Sequence, residues 1–561
     1  MTPTPGHDPD DVLHEDIGDS TLWTRVNIAE ACPGVPTPLT WSWFGYGSDV
    51  GVSRGWVRMG VLPAWRGERQ ARPGDRMVAI HAGRPVLNLG ILREIGGSIP
   101  GSSAEKVERQ FFASETAIEP GPTLWRRYPR VALKLIPAIV SARRELLAQV
   151  PDTLAWWSAS VAELSDPACD PARARTLLAE AFDRYLPLTT LQTVNSLSVS
   201  GLYDLLVKLC ARHGLTDQAG ALSTSDELTP EALTVEDLWR LSRGRIDLAE
   251  FLGRHGYHAP VQGELAVPSW RIDASPVLKL AESYRRRPEH DDPVTAHRRL
   301  RAARDVTERR LLSSVPWPAR VPVRALLRAV RALVPLREVA RLQFMQCADV
   351  ARAAAAVLGA HLVGEGRLEA PEDVYQLTGD ELIGDVAVAP GVIALRRERR
   401  EVYLGVDLPM RFVGYPETTP VARSSRPTGG GPAVAGEQDR RVFTGLSGSR
   451  GVYEGRARVI TEPDDADELL DGEILVCETT NPSWASYFLV AGAVVVDIGG
   501  PLSHGPIVAR EMGIPCVINT RDARLAISTG DLLRVDGTAG VVEILEHSAP
   551  EPAPSSASSG T

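Results

Sequence analysis

Ser503 and His504 stand in the densest run of chemically suggestive residues in the chain, VVVDIGGPLSHGPIVAREMGIPCVIN over residues 494–519. An apolar strand over 493–496 ends in Asp497 and the pair Gly499 and Gly500, and a turn then delivers Ser503 and His504 to the start of a helix. Gly505 and Pro506 suit the first helical positions, where proline's missing N–H is not needed. Gly513 suits the C-terminal cap, and Pro515 stops the helix. A histidine at a helix start lies beside unpaired N–H groups and the positive end of the dipole, which favour a phosphate on the ring. Near neutral pH imidazole is often unprotonated, so one ring nitrogen is nucleophilic. Ser503 can cap the helix or hydrogen-bond a phosphate oxygen. These types at this spacing allow a phosphohistidine, although a lone histidine beside a helix start is more often a solvated surface residue.

Three other groups of residues carry chemistry. In REVAR, residues 337–341, Arg337 and Arg341 project from one helical face, where two guanidinium groups can clamp a phosphoryl group. Glu338 can orient them or accept the proton of an acceptor hydroxyl. Arginines also recur at 298, 299, 301, 304, 309, 310, 320, 324, 328 and 331, so the alternative is one solvated basic face. His258 and Glu264, in the loop HAPVQGE, are a second acid–base pair, with a structural histidine as the bland reading. Trp41, Trp43, Phe44 and Tyr46 can wall an apolar acceptor pocket or simply fill core.

The elements that must position these residues fall into two textures. From Trp23 to about Tyr415 the pattern is largely helical, with apolar residues at three- and four-residue spacings over 104–114, 128–150, 171–187, 195–213, 236–255, 293–312 and 319–363. A strand-like interlude occupies 76–88. Residues 416–441 are dense in Pro, Gly and Ser and read as a flexible linker. Beyond it, short β-type runs at 455–460, 473–477, 493–497, 515–518 and 541–545 are punctuated by glycine, with one helix near 505–512. The division expected is a disordered tail (1–20), a mainly helical domain (21–415), the linker (416–441), a small α/β domain (442–547) and a second tail (548–561). The fold class is thus multidomain: a large mainly α-helical domain followed by a small α/β domain.

Composition sets bounds. With 561 residues, 43% hydrophobic and 24% charged, the chain is long enough for several cores, and a net charge of −10 argues against general nucleic-acid binding. Cys32, Cys169, Cys210, Cys347, Cys477 and Cys516 form no CxxC pair, so neither a zinc site nor a disulfide framework is expected, and a cytoplasmic location is. No signal peptide and no apolar run of membrane-spanning length is read. The lysines are Lys106, Lys134, Lys208 and Lys279; none lies in a glycine-rich loop, and no GxxxxGK[ST] occurs, so ATP binding by this chain itself is not expected.

The block around His504 resembles the swivelling phosphohistidine domain of the PEP-utilising dikinase superfamily, whose signature runs GG-x-x-[ST]-H-x-x-[IV]-[IV]-A-R-E-x-G-I-P-[AC]-V. Gly499, Gly500, Ser503, His504, Ile507, Val508, Ala509, Arg510, Glu511, Gly513, Ile514, Pro515 and Val517 match it. The resemblance extends through GLSGSRGVYEGRARVI (445–460) and TTNPSWASYF (479–488), where Asn481 stands in place of the usual aspartate. It implies that His504 is the phosphorylated residue. The helical part resembles the acceptor-binding region of rifampicin phosphotransferases and related phenol-phosphorylating dikinases, on WTRVNIAEACPGVPTPLTWS (23–42), GRPVLNLGIL (83–92), FLGRHGYHAPVQGELAVPSWRIDAS (251–275), REVAR and GRLEAPEDVYQLTGDEL (366–382). That family places a charged cluster of REVAR spacing near the transfer site.

Neither the ATP-grasp domain nor the PEP/pyruvate barrel of the longer family members is read in this chain. The resemblance therefore implies a split dikinase. A separate ATP-grasp subunit, using ATP and Mg2+, phosphorylates His504, and the phosphoryl group passes to a hydroxyl of a small aromatic or natural-product acceptor. No resident metal, nucleic acid or membrane is expected. The alternatives are a non-catalytic phosphohistidine carrier or regulatory binding protein, and a phosphotransferase using PEP directly.

Overall fold

The computed structural model describes residues 8, 10–26, 28–111, 121, 123–215, 218–226, 229–289, 292–420, 441–460, 469–478, 480, 488, 490–498 and 504–548. The chain forms two compact units divided between Pro420 and Val421. The proposed linker lies, over 421–440, outside the described residues, as do 549–561 of the second tail.

The first unit is built on close helix packing. Helix α1 (Pro38–Arg58) starts after Thr37, whose hydroxyl caps it, with Pro38 at the first position. Gly47, Gly51 and Gly55 recur every four residues on α1 and meet Tyr185, Thr189 and Thr193 of a second long helix. A Cβ on Gly51 would lie 1.8 Å from Thr189 Oγ1, so the two backbones approach to a distance only glycine permits. Helix α2 (Tyr128–Leu164) and helix α3 (Pro171–Arg212) lie beside α1. The periodicity suggested a break between 187 and 195, yet α3 is continuous. Pro187 removes one helical hydrogen bond, but packing against neighbouring helices holds the segment. Two shorter helices follow, α4 (Pro230–Ser242) and α5 (Leu248–His255). The expected helix 319–363 divides into Arg320–Leu333 and α6 (Leu336–Gly364) around Val334 and Pro335.

A four-stranded sheet closes this unit. Strands β1 (Leu22–Thr24), β2 (Val78–His81), β3 (Arg84–Asn88) and β4 (Arg411–Val413) are ordered β2-β3-β1-β4, with β1 antiparallel to both neighbours. The β2–β3 turn uses Ala82 and Gly83, both at positive φ, the two-residue hairpin geometry that matches strand twist.

Residues 10–20 correct the expectation of a disordered tail. Leu13 and Ile17 are buried, Ile17 accepts the Trp23 indole N–H at 3.2 Å, and Glu15 pairs with Arg76 at 2.5 Å. The acidic composition masked two apolar anchors four residues apart. The helical stretch Trp317–Gly364 is also long and apolar enough to cross a membrane by length and composition, which the sequence reading had not recognised; 67% of its most apolar window is buried within the protein.

The second unit carries an eight-stranded sheet of β5 (Val442–Thr444), β6 (Leu446–Ser449), β7 (Val452–Ile460), β8 (Ile474–Cys477), β9 (Ala493–Val496), β10 (Cys516–Ile518), β11 (Leu532–Asp536) and β12 (Val541–Glu546). Its order is β5-β12-β11-β7-β8-β9-β10-β6, with β7, β8, β9 and β10 parallel and the remaining pairings antiparallel. Of the parallel strands, β8, β9 and β10 are continuous apolar runs, as strands covered on both faces require, whereas β7 carries Glu454, Arg456 and Arg458. Helix α7 (His504–Met512) connects β9 to β10. The observed architecture is thus the expected one, a large helical region followed by a smaller α/β unit.

Candidate functional site

In the second unit, His504 is the first residue of α7, and the helix begins beyond the carboxyl end of β9. That edge of a parallel sheet, with a helix N-terminus pointing toward it, is where such folds bind anions. Ser503 and the side chain of His504 lie outside the described residues. The far end of α7 closes with Gly513 at φ +71° and the Ile514 N–H donating to Ala509 O at 2.9 Å, the left-handed cap read from the sequence. Arg510 Nε donates to Gly448 O at 2.6 Å and ties α7 to β6.

Two further residues stand beside α7: Thr480, which the sequence did not single out, and Asp497, read there only as the end of the strand. A Cβ on Gly505 would lie 2.6 Å from the hydroxyl of buried Thr480, so the start of α7 rests against that threonine. Asp497, buried at the end of β9, accepts from Thr520 Oγ1 at 2.7 Å and from the Arg524 backbone N–H at 3.2 Å. Burial raises its carboxyl pKa against the opposing pull of these donors. Asp497 thereby anchors the loop 519–524, in which Asn519 and Arg521 hold positive φ.

In the first unit, one face of α6 carries most of the charged candidates. Arg341 reaches Gln262 Oε1 through both Nε (3.0 Å) and Nη2 (2.8 Å), and its Nη1 contacts Glu338 at 3.2 Å and Glu231 at 3.7 Å. Arg341, Glu338 and Glu231 are all buried. Arg337 is half-buried one turn earlier. Most of the neighbouring arginines, such as Arg298, Arg299, Arg309, Arg324 and Arg328, are exposed, so Arg341 is not part of a solvated basic face. Farther along α6, Arg352 donates to the carbonyls of Gln262 (2.7 Å) and Glu264 (2.9 Å), while Asp349 accepts from Ser269 (2.6 Å) and Arg271 (3.1 Å). Residues 338, 341, 349 and 352 project from one side of the helix and clamp the 258–271 loop onto it.

That loop brings His258 to the cluster. The His258 ring is buried, packs 4.7 Å from the rings of Tyr257 and Trp270, and lies 3.4 Å from Thr234 Oγ1 through Nε2. Burial first, then the nearby His255 and Arg341, hold its pKa well below the ordinary histidine value. The imidazole is therefore neutral near pH 7.

Glu264 has a different position from the acid–base role expected of it. Its carboxylate accepts from Thr37 N (3.0 Å), Thr37 Oγ1 (2.8 Å), Thr40 Oγ1 (2.6 Å) and Ala266 N (3.0 Å). Both oxygens are engaged at the N-terminus of α1, where a carboxylate satisfies orphan donors and complements the dipole. Glu264 is thus a fastener between loop and helix. The tryptophans also correct the expectation of a pocket wall. Trp43 is stacked 4.9 Å from Phe344 and tilted against Tyr185 at 4.7 Å inside the helix interface, and Trp41 is buried beneath Gly45. Among the described residues, no group of three or more His, Cys, Asp or Glu side chains is arranged to hold a metal ion.

Comparison with known proteins follows the same division. Residues 469–540, which contain His504 and α7, match the family described as PEP-utilising enzyme, mobile domain. Residues 211–338, which contain α4, α5 and the His258 loop, match the rifampicin phosphotransferase fourth domain. An uncharacterised protein of Mycobacterium tuberculosis is 35% identical over 233 residues, covering 41% of this chain and 26% of the relative. The prodigiosin synthesizing transferase PigC of Serratia marcescens is 30% identical over 310 residues, 53% of this chain and 33% of PigC. The rifampicin phosphotransferase of Bacillus subtilis is 36% identical over 191 residues, 33% of this chain and 20% of the relative. The chain thus spans a third or less of the length of these relatives. The resemblance to the PEP-utilising superfamily and to rifampicin phosphotransferase, read first from motifs, is present in both units.

Proposed function

We propose that this chain is the acceptor-binding and phosphohistidine-carrying part of a dikinase-type phosphotransferase. His504 receives a phosphoryl group from a separate ATP-grasp subunit that binds ATP and Mg2+, and donates it to a hydroxyl of a small acceptor bound by the helical unit. The observation that carries this reading is the match of residues 469–540 to the PEP-utilising mobile domain, with His504 opening a helix at the carboxyl edge of parallel strands. The helix N-terminus stabilises the phosphate on His504, with Ser503 available to bond a phosphate oxygen.

On the acceptor side, Arg341 and Arg337 neutralise charge as the phosphoryl group moves, Glu338 orients Arg341, and His258 takes the hydroxyl proton. Transfer of this kind depends on in-line positioning and charge neutralisation more than on covalent chemistry from the protein. Relatives named for rifampicin and for prodigiosin favour an aromatic or natural-product acceptor. The test is to incubate the chain and a candidate ATP-grasp subunit with Mg-ATP and a panel of phenols and aromatic natural products. A phosphorylated product that requires both proteins is expected. Product formation by this chain alone would contradict the division of labour.

A further inference from the structure

Buried ionisable clusters are expensive, and replacing them with apolar side chains often stabilises a protein, so an uninterrupted one invites a functional account. The helical unit holds such a cluster behind His258. Asp237 Oδ2 lies 3.0 Å from His255 Nε2, His255 Nδ1 lies 3.1 Å from Thr234 Oγ1, and Thr234 Oγ1 lies 3.4 Å from His258 Nε2. All four side chains are buried. They come from three places: Thr234 and Asp237 from successive turns of α4, His255 from the last turn of α5, and His258 from the loop.

The far end of this chain is fixed as an anion. Arg240 donates to Asp237 Oδ1 at 2.9 Å and Arg254 to Oδ2 at 3.1 Å. The His255 ring, with Arg254 behind it, pulls the Asp237 carboxyl down to about 2. Asp237 therefore takes the Nε2–H of His255, which leaves His255 Nδ1 to accept from the Thr234 hydroxyl. Thr234 Oγ1 then accepts the Nε2–H of His258, and His258 Nδ1 is left without a proton. Thr234 also has a second acceptor for its own hydrogen, Pro230 O at 3.0 Å. Its hydroxyl can turn between Pro230 O and His255 Nδ1 without losing a partner.

We propose that Asp237, His255, Thr234 and His258 form a proton relay that removes the proton of the acceptor hydroxyl during phosphoryl transfer; this rests on the acceptor-phosphorylating function proposed above. His258 is the catalytic residue, and the other three are positioning residues that act through it. In the transfer step, the acceptor oxygen forms a bond to phosphorus, the phosphorus–nitrogen bond to His504 breaks, and its electron pair returns to the imidazole. The acceptor's proton goes to His258 Nδ1. His258 Nε2 gives its proton to Thr234, and Thr234 gives its own to His255 Nδ1. The positive charge ends on His255 against the Asp237 carboxylate, away from the Arg341 guanidinium that opposes charge on His258. Once product leaves, the proton returns along the chain and departs to solvent from His258 Nδ1, which restores the starting tautomers of both histidines.

The experiment uses the full chain loaded on His504 with phosphoramidate, then mixed in single turnover with phenol or with 4-nitrophenol at mildly alkaline pH, where only the latter is already ionised. Loss of phosphohistidine and gain of aryl phosphate are followed by mass spectrometry and 31P NMR. The relay predicts that Asp237→Asn, His255→Gln and Thr234→Val load normally but transfer to phenol about 10²-fold more slowly. Thr234→Ser should recover most of the rate, and the deficits should shrink to a few-fold with 4-nitrophenol. Equal deficits with both acceptors, or wild-type rates in all three variants, would overturn the relay while leaving the phosphotransferase reading in place. A loaded parent chain that transfers to neither acceptor would remove that reading and the relay with it.

Discussion

Arg341 and Gln262 are joined through two guanidinium nitrogens on one amide oxygen, at 3.0 and 2.8 Å, both partners being buried. The pair links the face of α6 to the loop that carries His258, so a residue proposed to neutralise phosphoryl charge is positioned by the segment proposed to take the proton. The Nη1 nitrogen of the same guanidinium faces Glu338 and Glu231. Two acids and one amide thus fix the plane of Arg341, which suits a group that must be in place before charge moves.

Substitution of this arginine should separate the two half-reactions. Arg341→Ala and Arg337→Ala are expected to slow transfer to acceptor about 10²- to 10³-fold, the range typical of removing one preorganised donor. Loading of His504 should be unchanged in both. The check is to measure phosphohistidine formation and aryl phosphate formation in the same samples; equal loss of both steps would assign the arginines a structural role.

Glu264 is predicted to affect stability. Glu264→Ala leaves the Thr37 N–H and the Thr40 hydroxyl without this acceptor, the Thr37 hydroxyl keeping Thr40 Oγ1, and should destabilise the helical unit by about 1–3 kcal/mol. The urea midpoint reads this directly. An unchanged midpoint with lost transfer would return Glu264 to proton chemistry.

Gly51 tests the packing that positions α1. Gly51→Ala puts a methyl where Thr189 Oγ1 now lies, and overpacking of this kind costs about 1–3 kcal/mol. Thr189→Ala should relieve part of that loss in the double variant, measured as a non-additive shift in the unfolding midpoint.

Acid sensitivity should appear well above the carboxylate range. Burial first, then the neighbouring His14, lower the pKa of His81 to about 4, against the opposing Glu15 carbonyl and Asp16. Between pH 4 and 6.5 the unfolded chain binds the proton that the folded chain refuses, so stability rises with pH across this window. Its contribution is fully present above about pH 6.5 and lost as pH falls through about 4, an effect of roughly 3 kcal/mol. His258, also depressed, adds a loss of the same sign. Urea midpoints from pH 7 to pH 4 should fall, with a shallower slope in His81→Gln.

Much of this was legible in the sequence, for identifiable reasons. The α7 segment carries its own punctuation, Gly505 and Pro506 at one end and Gly513 and Pro515 at the other, so its bounds and its left-handed cap followed from local chemistry. Strands β5 and β11 were not read, because runs as short as VFT and LLRVD give too few repeats to show a period. Residues 10–20 were misjudged because acidic residues surround the two buried anchors. In the helical unit, the REVAR spacing was visible, but the placements of Glu264 and Trp43 were not. Those depend on partners more than two hundred residues away in the first case and in two other helices in the second. The Asp237–His255–Thr234–His258 chain was hidden for the same reason, since α4, α5 and the loop have to fold together before its members meet.

The central claim is that His504 carries the phosphoryl group and that another protein puts it there. Intact-mass spectrometry at neutral or alkaline pH, where phosphohistidine survives, tests it directly on the chain incubated with Mg-ATP, with and without a candidate ATP-grasp protein, and on His504→Ala. The account predicts the mass of one phosphate only with the partner and only when His504 is present. The mass of a phosphate on the His504→Ala chain, or none on the parent chain with an active partner, would contradict it.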